Sequence, residues 1–299
     1  MKRALAFLVV LLVGVTCLYF SQRRHDPTPV SANAVVALAA DAQRDLSRAP
    51  MRLTRLSDDE EIAIGKELAA QYTPAGQLSP EDNAVESYVR RVGHSVSLNA
   101  HRRLPYSFHL VPDRSMINAF SLPGGPVFVG AGMLDLMTSE DELAAVLAHE
   151  IEHIDHYHCA ERVQIEARLR SLQLDVVGAI VQIPLQVWEA GYNKDEEFEA
   201  DREGILLAVL GGYSPYGAVN LFEKFVKLNS EYVIHAQSPE EELSQLAIQS
   251  LQGYFRSHPL PSERLARANS LIAQEHWQDR KAQKPFRVEY EVQNGRFVK

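Results

Sequence analysis

The sequence predicts an α+β fold, mainly helical, in which a small antiparallel sheet lies beside one long central helix. Three observations carry that expectation. Helix-start signals at Ser57 and Ser79 precede any strand pattern, an alternating stretch begins near residue 105, and helical patterning resumes at Ser139 and dominates the rest of the chain.

Met1, Lys2 and Arg3 lead into the apolar run ALAFLVVLLVGVTCLYF, residues 4–20, with Arg23 and Arg24 beyond it. A bilayer span takes roughly 17–25 residues, and no small-x-small cleavage signal follows closely. Residues 1–26 are therefore expected to be a signal anchor holding the chain to a membrane. The alternatives are a signal peptide cleaved after ANA, residues 32–34, or lipidation at Cys17. Residues 27–55 contain Pro and many small residues and read as a linker.

The compact domain is expected over 56–275. Ser57 with Glu60 forms a capping box before EIAIGKELAAQY, and Ser79 followed by Pro80 opens a second helix. PYSFHLVP alternates, and INAFSLPGGPVFVG gives two short β-rich runs divided by Pro123, Gly124 and Gly125. Ser139 and Glu142 form another capping box, opening one continuous helix through EDELAAVLAHEIEHIDHYHCAERVQIEARLRSL. Residues 172–188 are apolar, but Asp175, Gln182, Pro184 and Gln186 argue against a membrane span. Further helices run from DEEFEADREGILLAVLGG to PSERLARANSLIAQ, and the tail, 276–299, ends in a hairpin turning at Asn294 and Gly295.

At 299 residues and 46% hydrophobic, the chain can bury the core of one large domain. Its formal charge of −9, with no long Lys/Arg cluster, excludes a sequence-independent nucleic-acid binder. Only Cys17 and Cys159 are present, and Cys17 lies in the apolar run, so no internal disulfide is expected. Cys159 lies nearly three turns from His149 and reads as a small buried helix residue, not a metal ligand.

AHEIEHIDHYHC, residues 148–159, sets four histidines on the expected central helix. His149 and His153 fall about 40° apart on one face, with Glu150 bordering it. This HExxH spacing lets two neutral imidazoles hold zinc while a carboxylate takes a proton from water. A catalytic zinc needs a third protein ligand. The best candidate stretch is DEEFEAD, where Glu197 and Asp201 share a helical face, so that one binds metal while the other orients a histidine.

Five ordered blocks, EEIAIGKELA, INAFSLPGGPVFVGAGML, ELAAVLAHEIEHIDHYH, EFEAD and SHPLPSER, resemble the zinc metallopeptidase family containing the CAAX prenyl proteases, the HtpX heat-shock proteases and the periplasmic beta-barrel assembly-enhancing protease. The resemblance implies a zincin-like metallopeptidase domain with one Zn2+ per chain. It implies zinc on His149, His153 and Glu197, Glu150 as general base, and Asp201 behind the ligands. It also implies His258 near the zinc with Arg264 close by, and an edge strand at Val127, Phe128 and Val129 that pairs with extended substrate.

The expected function is endopeptidase quality control of unfolded or misassembled envelope proteins, from an inner-membrane anchor facing the periplasm. The alternative is a latent or non-catalytic zinc protein holding such clients along its edge strand. This chain departs from the family pattern at Glu152, at the additional His156 and in a long stretch before His258, which reads as a lid. No tetratricopeptide array is expected after the catalytic region.

Overall fold

Ser57 and Ser79 each accept a hydrogen bond from the backbone N–H three residues on, and the helices they cap open the folded chain: α1, Asp58–Tyr72, and α2, Pro80–Ser97. At Ser57 the reciprocal bond from Glu60 completes the capping box. The structure is a computed structural model describing residues 55–73, 78–170, 192–231 and 260–286. The apolar run at 4–20, the stretch at 172–188, the expected lid, His258 and the terminal hairpin all lie outside those residues.

After α2 come β1, Ser107–Val111, β2, Ala119–Ser121, and β3, Pro126–Gly130. The sheet is small, as expected, but mixed instead of antiparallel. β2 and β3 pair antiparallel, with Phe120 opposite Phe128, while β1 joins β3 in parallel, in the order β1-β3-β2. The Pro-Gly-Gly turn, with Gly124 at φ 75° and Gly125 at φ 131°, folds β3 back between the other two.

β3 is therefore the central strand, which corrects the edge-strand expectation for Val127, Phe128 and Val129. All three are fully buried, and both sides of their backbone are paired. PVFV is apolar without alternation, the pattern of a strand buried on both faces.

Ala131–Asp135 forms the short α3, and Glu140–Asp155 the central helix α4. Every residue of α4 is buried except Ala145, so its acidic first turn needs partners. Glu140 accepts from Tyr88 Oη, Asp141 from the Ser214 N–H, and Glu142 from Lys224 Nζ and the Thr138 N–H. Ser139 caps the helix, but because Glu142 turns to Thr138 and Lys224, the expected second capping box is only half made. A strap follows the last helix: the Glu140 N–H donates to Lys284 O, and Ser139 bridges Pro285.

The expected continuous helix breaks. His156 ends α4, Tyr157 takes φ 63°, and α5 restarts at His158–Arg170. A left-handed tyrosine is costly. The ring is held by the guanidiniums of Arg55 and Arg102, 3.6 and 3.8 Å from its centroid. Then come α6, Lys194–Leu210, α7, Tyr216–Glu231, and α8, Pro261–Gln274. No helix among the described residues is long and apolar enough to cross a membrane.

Candidate metal centre

α6 packs directly on α4, and Gly204 sets how closely. A Cβ there would come within 2.9 Å of the His149 nitrogen and 3.0 Å of its Cα. Glu197, Asp201 and Gly204 lie four and three residues apart on one face, so the close approach that glycine permits aims both carboxylates at the α4 histidines. The Asn193 cap and Glu196 fix the start of α6, placing Glu197 in its first turn.

His149, His153 and Glu197 each offer a ligand atom within 4.8 Å of the others, and all three are buried. The two Nε2 atoms are 3.1 Å apart, and the Glu197 oxygens lie 3.6 Å from His149 and 3.7 Å from His153. A tetrahedral ion about 2.0–2.2 Å from each donor would separate them by about 3.3 Å, so the three positions fit a bound metal. Burial would lower the His149 pKa, yet Asp201 and Glu197 outweigh it and push it up to about 9. The surroundings thus favour positive charge at this imidazole.

The ligands are held from behind. Asp201 Oδ1 lies 3.0 Å from His149 Nδ1, leaving Nε2 to face the metal position. Arg264, on α8 and 2% exposed, donates two hydrogen bonds to Asp201 at 2.8 and 2.5 Å. Burial would raise the Asp201 pKa, but Arg264 and then His149 hold it below the usual carboxylate range. The Tyr192 ring stacks on His153 at 3.9 Å between centroids, and the Tyr192 backbone N–H donates to Glu197 Oε1 at 3.2 Å.

His153 Nδ1 lies 2.9 Å from His158 Nδ1, and His158 Nε2 lies 3.4 Å from Glu199. In an unbroken helix His158 would sit about 140° round from His153. The left-handed Tyr157 is what brings them together. Sequence reasoning gave His158 no role and passed over Tyr192.

Glu150 is 4% exposed and accepts a hydrogen bond of 2.8 Å from Ser121 Oγ, which ties it to β2. Cys159 is buried and stands outside the ligand set, 3.4 Å from Ser121 Oγ and 3.1 Å from Tyr192 Oη. His156 is partly exposed and pairs with Glu152 at 3.3 Å, so neither residue joins the three ligands. Of the expected site residues, His149, Glu150, His153, Glu197, Asp201 and Arg264 thus come together.

The profile of peptidase family M48 matches residues 80–272, more than half of the chain. The chain is 30% identical over 237 residues to the beta-barrel assembly-enhancing protease of Yersinia pestis, covering 73% of this chain and 45% of that protein. It is 31% identical over 167 residues to the mitochondrial metalloendopeptidase OMA1 of Schizosaccharomyces pombe, covering 53% and 49% respectively. With the metalloprotease LoiP of Escherichia coli (strain K12) the identity is 23% over 185 residues, covering 58% and 72%. The chain spans about half the length of the beta-barrel assembly-enhancing proteases and of the Schizosaccharomyces pombe OMA1 that it matches.

Proposed function

The chain belongs to peptidase family M48, and from that membership we propose that it is a zinc-dependent endopeptidase acting on unfolded or misassembled proteins of the bacterial cell envelope. The observation that carries the reading is the convergence of two buried imidazoles and a buried carboxylate, with Glu150 next to the first histidine. Two nitrogens and one carboxylate oxygen suit zinc and leave a fourth position for water or substrate, whereas magnesium and calcium favour oxygen donors throughout.

Zinc bound there supplies Lewis acidity towards a peptide carbonyl and towards water. Glu150 accepts the proton of the attacking water and delivers it to the departing amide nitrogen, so no acyl-enzyme is needed. Ser121 orients that carboxylate, and the Asp201–Arg264 pair keeps the His149 ring in place. The sheet edge serving an extended substrate is β2. The Gly130 N–H donates to Asn118 O and the Leu122 N–H to Pro126 O, so the main-chain groups of Ala119 and Ser121 face away from β3; the Ala119 N–H is held by Asn118 Oδ1 and Ser121 O lies 3.7 Å from Cys159 Sγ, contacts that an added strand would replace.

Relatives named beta-barrel assembly-enhancing proteases favour envelope proteins as clients. The apolar run at 4–20 would anchor the chain in the inner membrane, facing the periplasm. The test is degradation of an unfolded protein by the zinc-loaded full chain, compared with Glu150→Gln at matched zinc content. Cutting by the wild type alone supports the reading. Equal cutting by both, or none by either with one zinc bound, refutes it.

A further inference from the structure

We infer that Glu152, Asp155 and His101 form a second metal site, which takes a divalent transition-metal ion more weakly than the first and clamps the loop after α2 to the end of α4. Glu152 is one of the places where the chain departs from the family pattern, and the first site makes no use of it.

Glu152 and Asp155 stand in the last turn of α4, each with its side chain only 1% exposed. One oxygen of each and a ring nitrogen of His101 all lie within 4.8 Å of one another. Two buried carboxylates that close repel unless a cation lies between them, and the negative end of the helix dipole adds to the demand. Among the described residues no Lys or Arg side chain pairs with either. The Arg102 guanidinium, on the same loop, is committed to Asp58, Glu61 and the Ile154 carbonyl.

Asp155 accepts from the N–H groups of His101 and Arg102 and from Tyr106 Oη, but Glu152 is not so provided. Its Oε2 accepts no hydrogen bond among the described residues, although His156 Nε2 stands 3.3 Å away. A buried oxygen left in that state is one that a metal ion would complete.

The donors select the ion. Two carboxylate oxygens with one imidazole suit a first-row ion such as manganese or iron(II) better than calcium or magnesium, which favour oxygen throughout. His101 closes the site. Its backbone N–H already holds Asp155 at 2.6 Å, while its ring is 79% exposed and can turn, with Nδ1 3.8 Å from Asp155 Oδ2. One exposed imidazole in place of two buried ones makes this the weaker site, so it fills second.

The test loads the full chain with one equivalent of zinc and then titrates Mn2+, which ranks below zinc in affinity and so leaves the first site occupied. Loss of the free-Mn2+ EPR signal counts the bound ions. The expected result is one further ion per chain at a Kd below about 1 mM. Glu152→Gln and the exposed His101→Ala should each weaken it at least about 10-fold, the cost of disturbing even a group behind a ligand. Mn2+ should also raise the urea midpoint of the wild type and leave that of Glu152→Gln where it was. No binding up to about 1 mM, binding unchanged in both variants, or an equal rise in both midpoints overturns the inference. Binding lost in Glu197→Ala but kept in Glu152→Gln would place the ion at the first site and overturns it too.

Discussion

Arg264→Leu removes a guanidinium that is 2% exposed and leaves the Asp201 carboxylate, 6% exposed, without the partner that gives it two hydrogen bonds. Breaking a buried ion pair from one side costs about 3–5 kcal/mol, because the remaining charge stays desolvated. Urea unfolding of the metal-free protein at pH 7 measures this without the linkage that bound zinc would add. Asp201→Asn combined with Arg264→Leu leaves no buried charge at the pair and should recover most of the loss. The pH dependence has a fixed sign. Asp201 is held below its ordinary pKa, so its contribution is present above the unfolded carboxyl value and lost as pH falls through the lower folded one. The gap between wild type and Arg264→Leu should therefore narrow in acid. A loss under about 1 kcal/mol at pH 7, or a double variant no better than the single one, would refute the reasoning.

His158→Ala should weaken zinc binding by about 10- to 100-fold in a chelator competition, since His153 loses the ring that faces its Nδ1, and His158→Asn should restore part of it. Gly204→Ala sets a Cβ against the His149 backbone and should cost about 1–3 kcal/mol in urea unfolding, together with a drop in zinc affinity. Burial pushes the Cys159 thiol up to about 12, so alkylation of the native protein at pH 8 should be far slower than in urea. A folded thiol pKa above the unfolded value means its contribution is whole below about pH 8.5 and declines as pH rises towards 12, which alkaline unfolding curves of wild type and Cys159→Ala would compare.

The parts of the site that were legible in the sequence are those set by helical period. His149 and His153 share a face because four residues make about one turn, and Glu197 and Asp201 do so for the same reason. Caps at Ser57, Ser79 and Ser139 are local chemistry and were equally readable. What escaped depends on contacts far apart in the chain. Tyr157 is left-handed because two arginines clasp its ring, and neither that bend nor the His153–His158 contact it creates comes out of periodicity. Nothing in the helical pattern of α6 marks Gly204 as the point where α4 lies against it. Strand order was misread because a Pro-Gly-Gly turn announces a hairpin but not which side of it β1 will join.

The central claim is a single metal held by His149, His153 and Glu197 with a coordination position left open, and X-ray absorption on the zinc-loaded full chain tests it most directly. The expected result is one zinc per chain with two imidazole nitrogens and oxygen donors at about 2.0–2.2 Å, no sulfur, and loss of that spectrum in Glu197→Ala. A sulfur shell at about 2.3 Å, or an unchanged spectrum in Glu197→Ala, would contradict it.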